Sequence, residues 1–220
     1  TNASQPLVEE LRYQYDPAEN QRLKVDDVAL HLYTYDATHQ LTQADYPASF
    51  PVPDTTFTYD PLGNRTQVSA GPTTPYTANA LNQYTVVGTT NFTYDLNGNL
   101  TNDGSRTYTY DSESRLRTAT GPFGSASYTY DPLGRRLRKT LNGVTTFFLS
   151  DGDQLLAELD TNRITTAQYL YGAGIDEPLR MIRGSTSTYF HADALGSLTA
   201  LTDATGSGAD LVPVAVRRLA

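Results

Sequence analysis

Apolar and polar residues alternate along this chain in short runs. Phe57-Thr58-Tyr59, Phe92-Thr93-Tyr94, Tyr108-Thr109-Tyr110 and Tyr128-Thr129-Tyr130 each have a period of two, which marks a strand with one aromatic face. Each run ends at a turn signal. The clearest copies read YDPLGNRT from Tyr59, YDLNGNLT from Tyr94 and YDPLGRRL from Tyr130. Gly63, Gly98 and Gly134 stand four residues after the Tyr and are expected to supply a positive φ, while Pro61 and Pro132 preset φ for a β-turn. Beyond the turn, Arg115 to Thr120 and Arg135 to Thr140 read as return strands. The unit is a strand, a turn and a second strand.

Composition supports many short strands. Tyr (16) outnumbers Phe (7), Trp is absent, and Gly (16) and Pro (12) punctuate the chain. Tyr and Thr favour pleated strands, so helix is expected to be scarce. The net charge of −8 argues against a nucleic-acid partner, because little here would neutralise a row of phosphates. With no Cys there is no disulfide framework and no thiolate chemistry. No apolar run approaches the roughly 20 residues that span a bilayer as a helix. The start, TNASQPLVEE, lacks the charged and apolar regions of a signal peptide. The expectation is a mature or excised piece of a secreted precursor.

The strongest signal is repetition. Tyr-Asp recurs as Tyr15-Asp16, Tyr35-Asp36, Tyr59-Asp60, Tyr94-Asp95, Tyr110-Asp111 and Tyr130-Asp131, with a degenerate copy placed at Tyr76. The Asp is expected to act locally, accepting hydrogen bonds from turn amides or pairing with a following Arg, as Asp131 with Arg135 or Arg136. In tandem this pattern resembles the Rhs repeats of bacterial surface and toxin-associated proteins and the repeats of animal teneurins, over roughly residues 10 to 206. A second mark follows: YLYGAGIDEPL and YFHADALGSLTALTDATG resemble the start of the Rhs-associated core, through Asp193-Ala194-Leu195-Gly196-Ser197. The resemblance implies a β-sheet strip that spirals and, in long versions, closes into a hollow shell around a C-terminal toxin. After Gly206 the family's next repeat and its Asp-Pro-Gly-Leu autoproteolytic element are missing, so no self-cleavage aspartate carries over.

Little else suggests chemistry. His31, His39 and His191 read as surface or turn residues; His191 and Asp193 share a strand face, but two ligands make no closed metal site. Asp95-Leu96-Asn97-Gly98-Asn99 begins like a calcium loop and then fails, with Leu100 and Arg106 where Gly and Glu are required. Sequons at Asn2, Asn64, Asn91 and Asn99 matter only in a host that glycosylates. No catalytic, cofactor or metal residue is expected.

The expected fold is all-β: tandem hairpins forming an elongated, spiralling strip or solenoid. Residues 1–150 form the repeat strip, 151–206 core-like hairpins continuous with it, and 207–220 a tail in which Leu211 to Leu219 could be an edge strand. The primary functional expectation is a non-enzymatic, extracellular or cell-surface structural protein whose open edges polymerise it into a filament. The alternative is a fragment of an Rhs-type shell enclosing a C-terminal toxin, with the rest of that shell as partner. An adhesion module binding glycans is a third reading. A glycosidase ranks last, since its two carboxylates cannot be picked out.

Overall fold

The computed structural model describes residues 11–26, 29–48, 50, 52–174, 177–193 and 196–208. All regular structure among them is strand, and no helix there is long and apolar enough to cross a membrane. The first sheet is β1 (Arg12–Tyr15), β2 (Gln21–Val25), β3 (Leu30–Tyr35), β4 (Leu41–Asp45), β5 (Thr55–Tyr59), β6 (Arg65–Ser69), β7 (Thr73–Ala78), β8 (Tyr84–Val87) and β9 (Thr90–Asn91). The second is β10 (Thr93–Tyr94), β11 (Leu100–Asn102), β12 (Thr107–Tyr110), β13 (Leu116–Gly121), β14 (Gly124–Tyr130), β15 (Arg136–Leu141), β16 (Val144–Asp151), β17 (Gln154–Leu159), β18 (Thr165–Tyr171), β19 (Pro178–Arg183), β20 (Thr186–Ala192) and β21 (Leu198–Thr202). In both sheets strand order is sequence order. Within each sheet, strands adjacent in sequence therefore pair antiparallel, the all-β tandem-hairpin architecture expected. The described residues divide into two compact units, those up to Thr107 and those from Tyr108 onward.

The alternation of Thr and Tyr decides what each face shows. In β12 the Thr residues are exposed and the Tyr residues half-buried. Threonine hydroxyls meet across neighbouring strands at Thr58 and Thr66, Thr93 and Thr101, Thr109 and Thr118, and Thr140 and Thr145, at 2.6–2.9 Å. Such cross-strand pairs are the sheet's unit of stabilisation. The buried apolar residues are all alanines, Ala44, Ala119, Ala126 and Ala167 among them, and no large side chain among the described residues is fully buried. This is sheet stabilised by neighbours, without a thick core.

Two expectations shift here. The degenerate repeat placed at Tyr76 is two residues out of register: Tyr76 lies inside β7, and the turn begins at Asn79, with Ala78 in the Tyr position. The proposed edge strand Leu211 to Leu219 lies outside the described residues. An isolated antiparallel bridge joins Thr202 and Gly208.

Candidate functional site: the repeated aspartate turn

The turn is one structure made many times. Its first residue donates its amide to the carbonyl four residues on and accepts, at its own carbonyl, the amide three residues on. Asp60, for example, bonds Asn64 O at 2.8 Å and Gly63 N at 3.0 Å. Among the described residues this pair of bonds recurs ten times, starting at Asp16, Asp36, Asp60, Asn79, Asp95, Asp111, Asp131, Asp160, Asp193 and Asp203. The fourth residue has a positive φ throughout: 79–85° at Gly63, Gly98, Gly134, Gly196 and Gly206, and 58–65° at Glu19, His39, Asn82, Ser114 and Arg163. The register then slips by one, so that Tyr59 faces Arg65 and Tyr130 faces Arg136. A type I turn closed by a left-handed residue and a bulge has this signature.

The aspartate holds the turn from within. One carboxylate oxygen accepts the amides two and four residues on: Leu62 and Asn64 at Asp60, Asn97 and Asn99 at Asp95, Leu133 and Arg135 at Asp131, all at 2.8–2.9 Å. Its second oxygen takes a side chain from the fifth residue, Asn20, Asn64 and Asn99 through Nδ2 at 2.9–3.0 Å, and Arg115 and Arg135 through Nε at 2.8 and 2.6 Å. Of the two arginines considered for Asp131, Arg135 makes the pair. Arg136 instead lies over Phe148, 4.8 Å from the ring centroid. The fifth residue also reaches the next turn on the same sheet edge. Asn64 Nδ2 meets Asn82 Oδ1 at 3.0 Å, Arg115 Nη1 meets Asp131 O at 3.1 Å, and Arg135 Nη1 meets Gly152 O at 3.0 Å.

These bonds favour the charged carboxylate. Side-chain hydrogen bonds from Asn20, Asn64 and Asn99 hold Asp16, Asp60 and Asp95 below the usual carboxylate range. At Asp111 and Asp131 desolvation pushes upward, but bonds from Arg115 and Arg135 outweigh it and the net shift is down. The carboxylates are thus engaged acceptors, each committed to its own loop.

At four of the turns the tyrosine before the aspartate ties one hairpin to the previous one. Hydroxyls of Tyr35, Tyr59, Tyr94 and Tyr130 donate to the carbonyls of Gln21, Leu41, Tyr84 and Leu116 at 2.8–3.0 Å. Each acceptor is the residue just after the preceding turn. Where Ala78 replaces the tyrosine, Tyr84 fills in from the return strand, its hydroxyl accepting the Arg65 amide at 2.8 Å. Tyr15 ends β1 and is half-exposed, and Tyr110 ends β12. The turns at Asn79, Asp160 and Asp203 and the double role of the fifth residue escaped the sequence reading. Their signal was Asp or Asn three residues ahead of Gly, Asn or Arg, without the Tyr.

The histidines diverge from expectation in one case. His39 is a turn residue as expected, at φ 64°. His31 is buried, at 4% exposure: Tyr46 and Phe50 cover it edge-on with centroids at 5.4 and 4.9 Å, and its Nε2 lies 2.9 Å from Asp26 Oδ2. His191 Nε2 bonds Thr202 Oγ1 at 2.9 Å, while Asp193 accepts the Ser197 amide at 2.9 Å. Each is engaged with a separate partner.

The teneurin YD-shell family model matches residues 11–210, a span that contains all ten turns. The chain belongs to the teneurin YD-shell family. Curated relatives include the tRNA nuclease WapA of Bacillus subtilis (strain 168), 36% identical over 162 residues, which covers 68% of this chain and 7% of that protein. The tRNA(Glu)-specific nuclease WapA of Bacillus subtilis subsp. natto is 38% identical over 135 residues, 58% of this chain and 6% of its own. The chain thus spans a small part of the relatives it matches. A solved structure of the Photorhabdus luminescens Tc holotoxin pore has the same fold, with a TM-score of 0.64 at 19% identity, over 91% of this chain and 13% of that one.

These relatives correct the functional expectation. A non-enzymatic structural protein that polymerises into a filament is not what the curated relatives are: those proteins are named as tRNA nucleases. The expectation rested on these repeats alone, whereas the matched stretch is 7% of that relative's length.

Proposed function

We propose that this chain is a segment of an Rhs-type shell in a longer, secreted or cell-surface toxin polypeptide, where its sheet helps to enclose a C-terminal effector. The observation that carries this reading is the family match over residues 11–210, joined to a physical one. Nine of the ten turns are closed by an aspartate, and at several of them a tyrosine hydroxyl or the fifth turn residue reaches the adjacent hairpin, as at Tyr130 and Arg115. A sheet so built extends by adding units and needs no central core. Large apolar side chains stay partly open, as at Leu149 and Leu170, which suits a wall better than an isolated globule. The tyrosines, aspartates and turn glycines have a structural role in this reading. The relatives' names supply the effector class, an RNA-cleaving domain carried by the longer polypeptide.

Limited proteolysis of the complete polypeptide, beside the isolated effector, tests the proposal. The enclosed effector is expected to survive protease that degrades it alone, and tRNA cleavage to appear only once the shell is opened. Equal protease sensitivity in both settings removes enclosure. Cleavage of tRNA by the 220-residue chain itself places the activity in these hairpins instead.

A further inference from the structure

Charge is unevenly distributed over this acidic chain. Residues 111–148 hold six of its 16 Arg and Lys against three of its 24 Asp and Glu. The three acids are already engaged: Asp111 and Glu113 with Arg115, and Asp131 with Arg135. Arg117, Arg136, Arg138 and Lys139 remain, and no ion pair to a carboxylate is found for them among the described residues.

Register divides these four between the two faces. Directly paired residues share a face, and Tyr128 pairs with Lys139, which in turn pairs with Thr146, two residues from Phe148. Thr118 pairs with Ser127, so one step along the same ladder brings Arg117 opposite Tyr128. Arg136 joins them, its guanidinium 5.7 Å from the Tyr128 ring centroid and 4.8 Å from that of Phe148. Arg138 pairs with Phe147 on the other face. Next along the first face, Glu158 pairs with Phe148, but its carboxylate is taken by Tyr169 at 2.7 Å and Arg183 at 3.0 Å. Three cations and two rings thus form one patch, with Arg117 and Arg136 exposed.

The geometry points to a docking surface for an acidic, extended polypeptide segment, centred on Tyr128 and formed by Arg117, Arg136, Lys139 and Phe148. The match is one of charge and spacing. Arg117 and Lys139 flank Tyr128 two strand spacings apart, about 10 Å, and alternate side chains of an extended peptide lie about 7 Å apart on one side. Two or three carboxylates therefore reach the cations while intervening apolar side chains meet the rings. A nucleic acid fits poorly, because its phosphates form a long row and the flanks of this patch belong to an acidic chain. Arg136, lying over two rings, presents its charge in a fixed position. This inference is independent of the proposed enclosure.

Fluorescence anisotropy with a labelled, end-capped hexapeptide of alternating Glu and Val provides the test. Saturable binding at low ionic strength that weakens as salt rises is expected. Arg136→Gln and Arg117→Gln should each weaken it about tenfold; Arg117, with no ring contact to lose, guards against a folding artefact at Arg136. Arg138→Gln, on the opposite face, should leave binding unchanged. The surface is refuted if Arg138→Gln weakens binding as much, if a peptide of alternating Lys and Val binds equally, or if oligothymidylate binds in preference. Concentration-dependent dimerisation abolished by Arg117→Gln, with no peptide binding, would assign the patch to a second copy and overturn the proposal.

Discussion

The hydroxyl of Tyr130 donates a 2.9 Å hydrogen bond to the carbonyl of Leu116, across one whole hairpin. The aspartate beside it closes the following turn. The Tyr-Asp dipeptide therefore has two jobs at adjacent positions, one looking back along the chain and one forward. Replacing Tyr130 with Phe keeps the ring and leaves the Leu116 carbonyl without this donor. The expected cost is about 1 kcal/mol, read as a fall in melting temperature of about 2–4 °C for a chain of this size. Tyr15→Phe, at a half-exposed ring, should change stability far less. Equal effects at the two sites would reject the clamp.

Backbone geometry makes a second prediction at Gly134, where φ is +85° and nothing lies within 4 Å of an added Cβ. Any cost there is conformational and not steric crowding. Gly134→Val should destabilise by about 1–3 kcal/mol, and Gly134→Asn by clearly less, since Asn tolerates the left-handed region. Urea denaturation of the two variants measures the difference.

The turn carboxylates set the acid limit. Asp16, Asp60 and Asp95 have folded pKa values below their ordinary 3.8, owing first to the asparagine side-chain bonds. A depressed folded pKa contributes stability above the unfolded value, lost as pH falls from about 4 through the folded one. Asp95→Asn should flatten the stability profile in that acid window and leave its slope near neutrality unaltered.

At the alkaline end the sign reverses. Burial raises Tyr33 to about 12, and burial with the Glu158 hydrogen bond raises Tyr169 to about 12, from 10.0. A raised folded pKa on an acid gives stability that is complete below pH 10.0 and lost between 10.0 and about 12. Glu158→Gln should move the phenolate absorbance change of Tyr169 to lower pH, and an unmoved titration would discount the bond.

The opposite sheet edge supplies a fifth test at Asn142. Its Oδ1 accepts the Ser125 amide and its Nδ2 donates to Phe123 O, both at 2.9 Å. Asn142→Asp keeps the acceptor but sets a carboxylate oxygen against a carbonyl. A loss of about 1–3 kcal/mol is expected at neutral pH, partly recovered on acidification.

Strand and turn were legible in the sequence because the turn requires particular chemistry. Gly63, Gly98 and Gly134 announce a positive φ, and Thr-Tyr alternation announces a sheet. What stayed hidden depended on partners distant in sequence. His31 is covered by the rings of Tyr46 and Phe50, and Asn79 begins a turn with neither Tyr nor Asp to signal it. Tyr84 reaches back to Arg65, nineteen residues away. The candidate site was legible as a motif, while its acceptor network and the two-faced division of Arg136 and Arg138 required the register.

Alanines such as Ala44, Ala119, Ala126 and Ala167 make up the buried apolar positions among the described residues. A methyl group asks almost nothing of its surroundings in shape, so adjacent hairpins need not be fitted to one another side chain by side chain. Length becomes an adjustable quantity in such a chain: duplicating or deleting one hairpin leaves the remaining joints intact, and relatives can diverge across their faces while the joints stay the same.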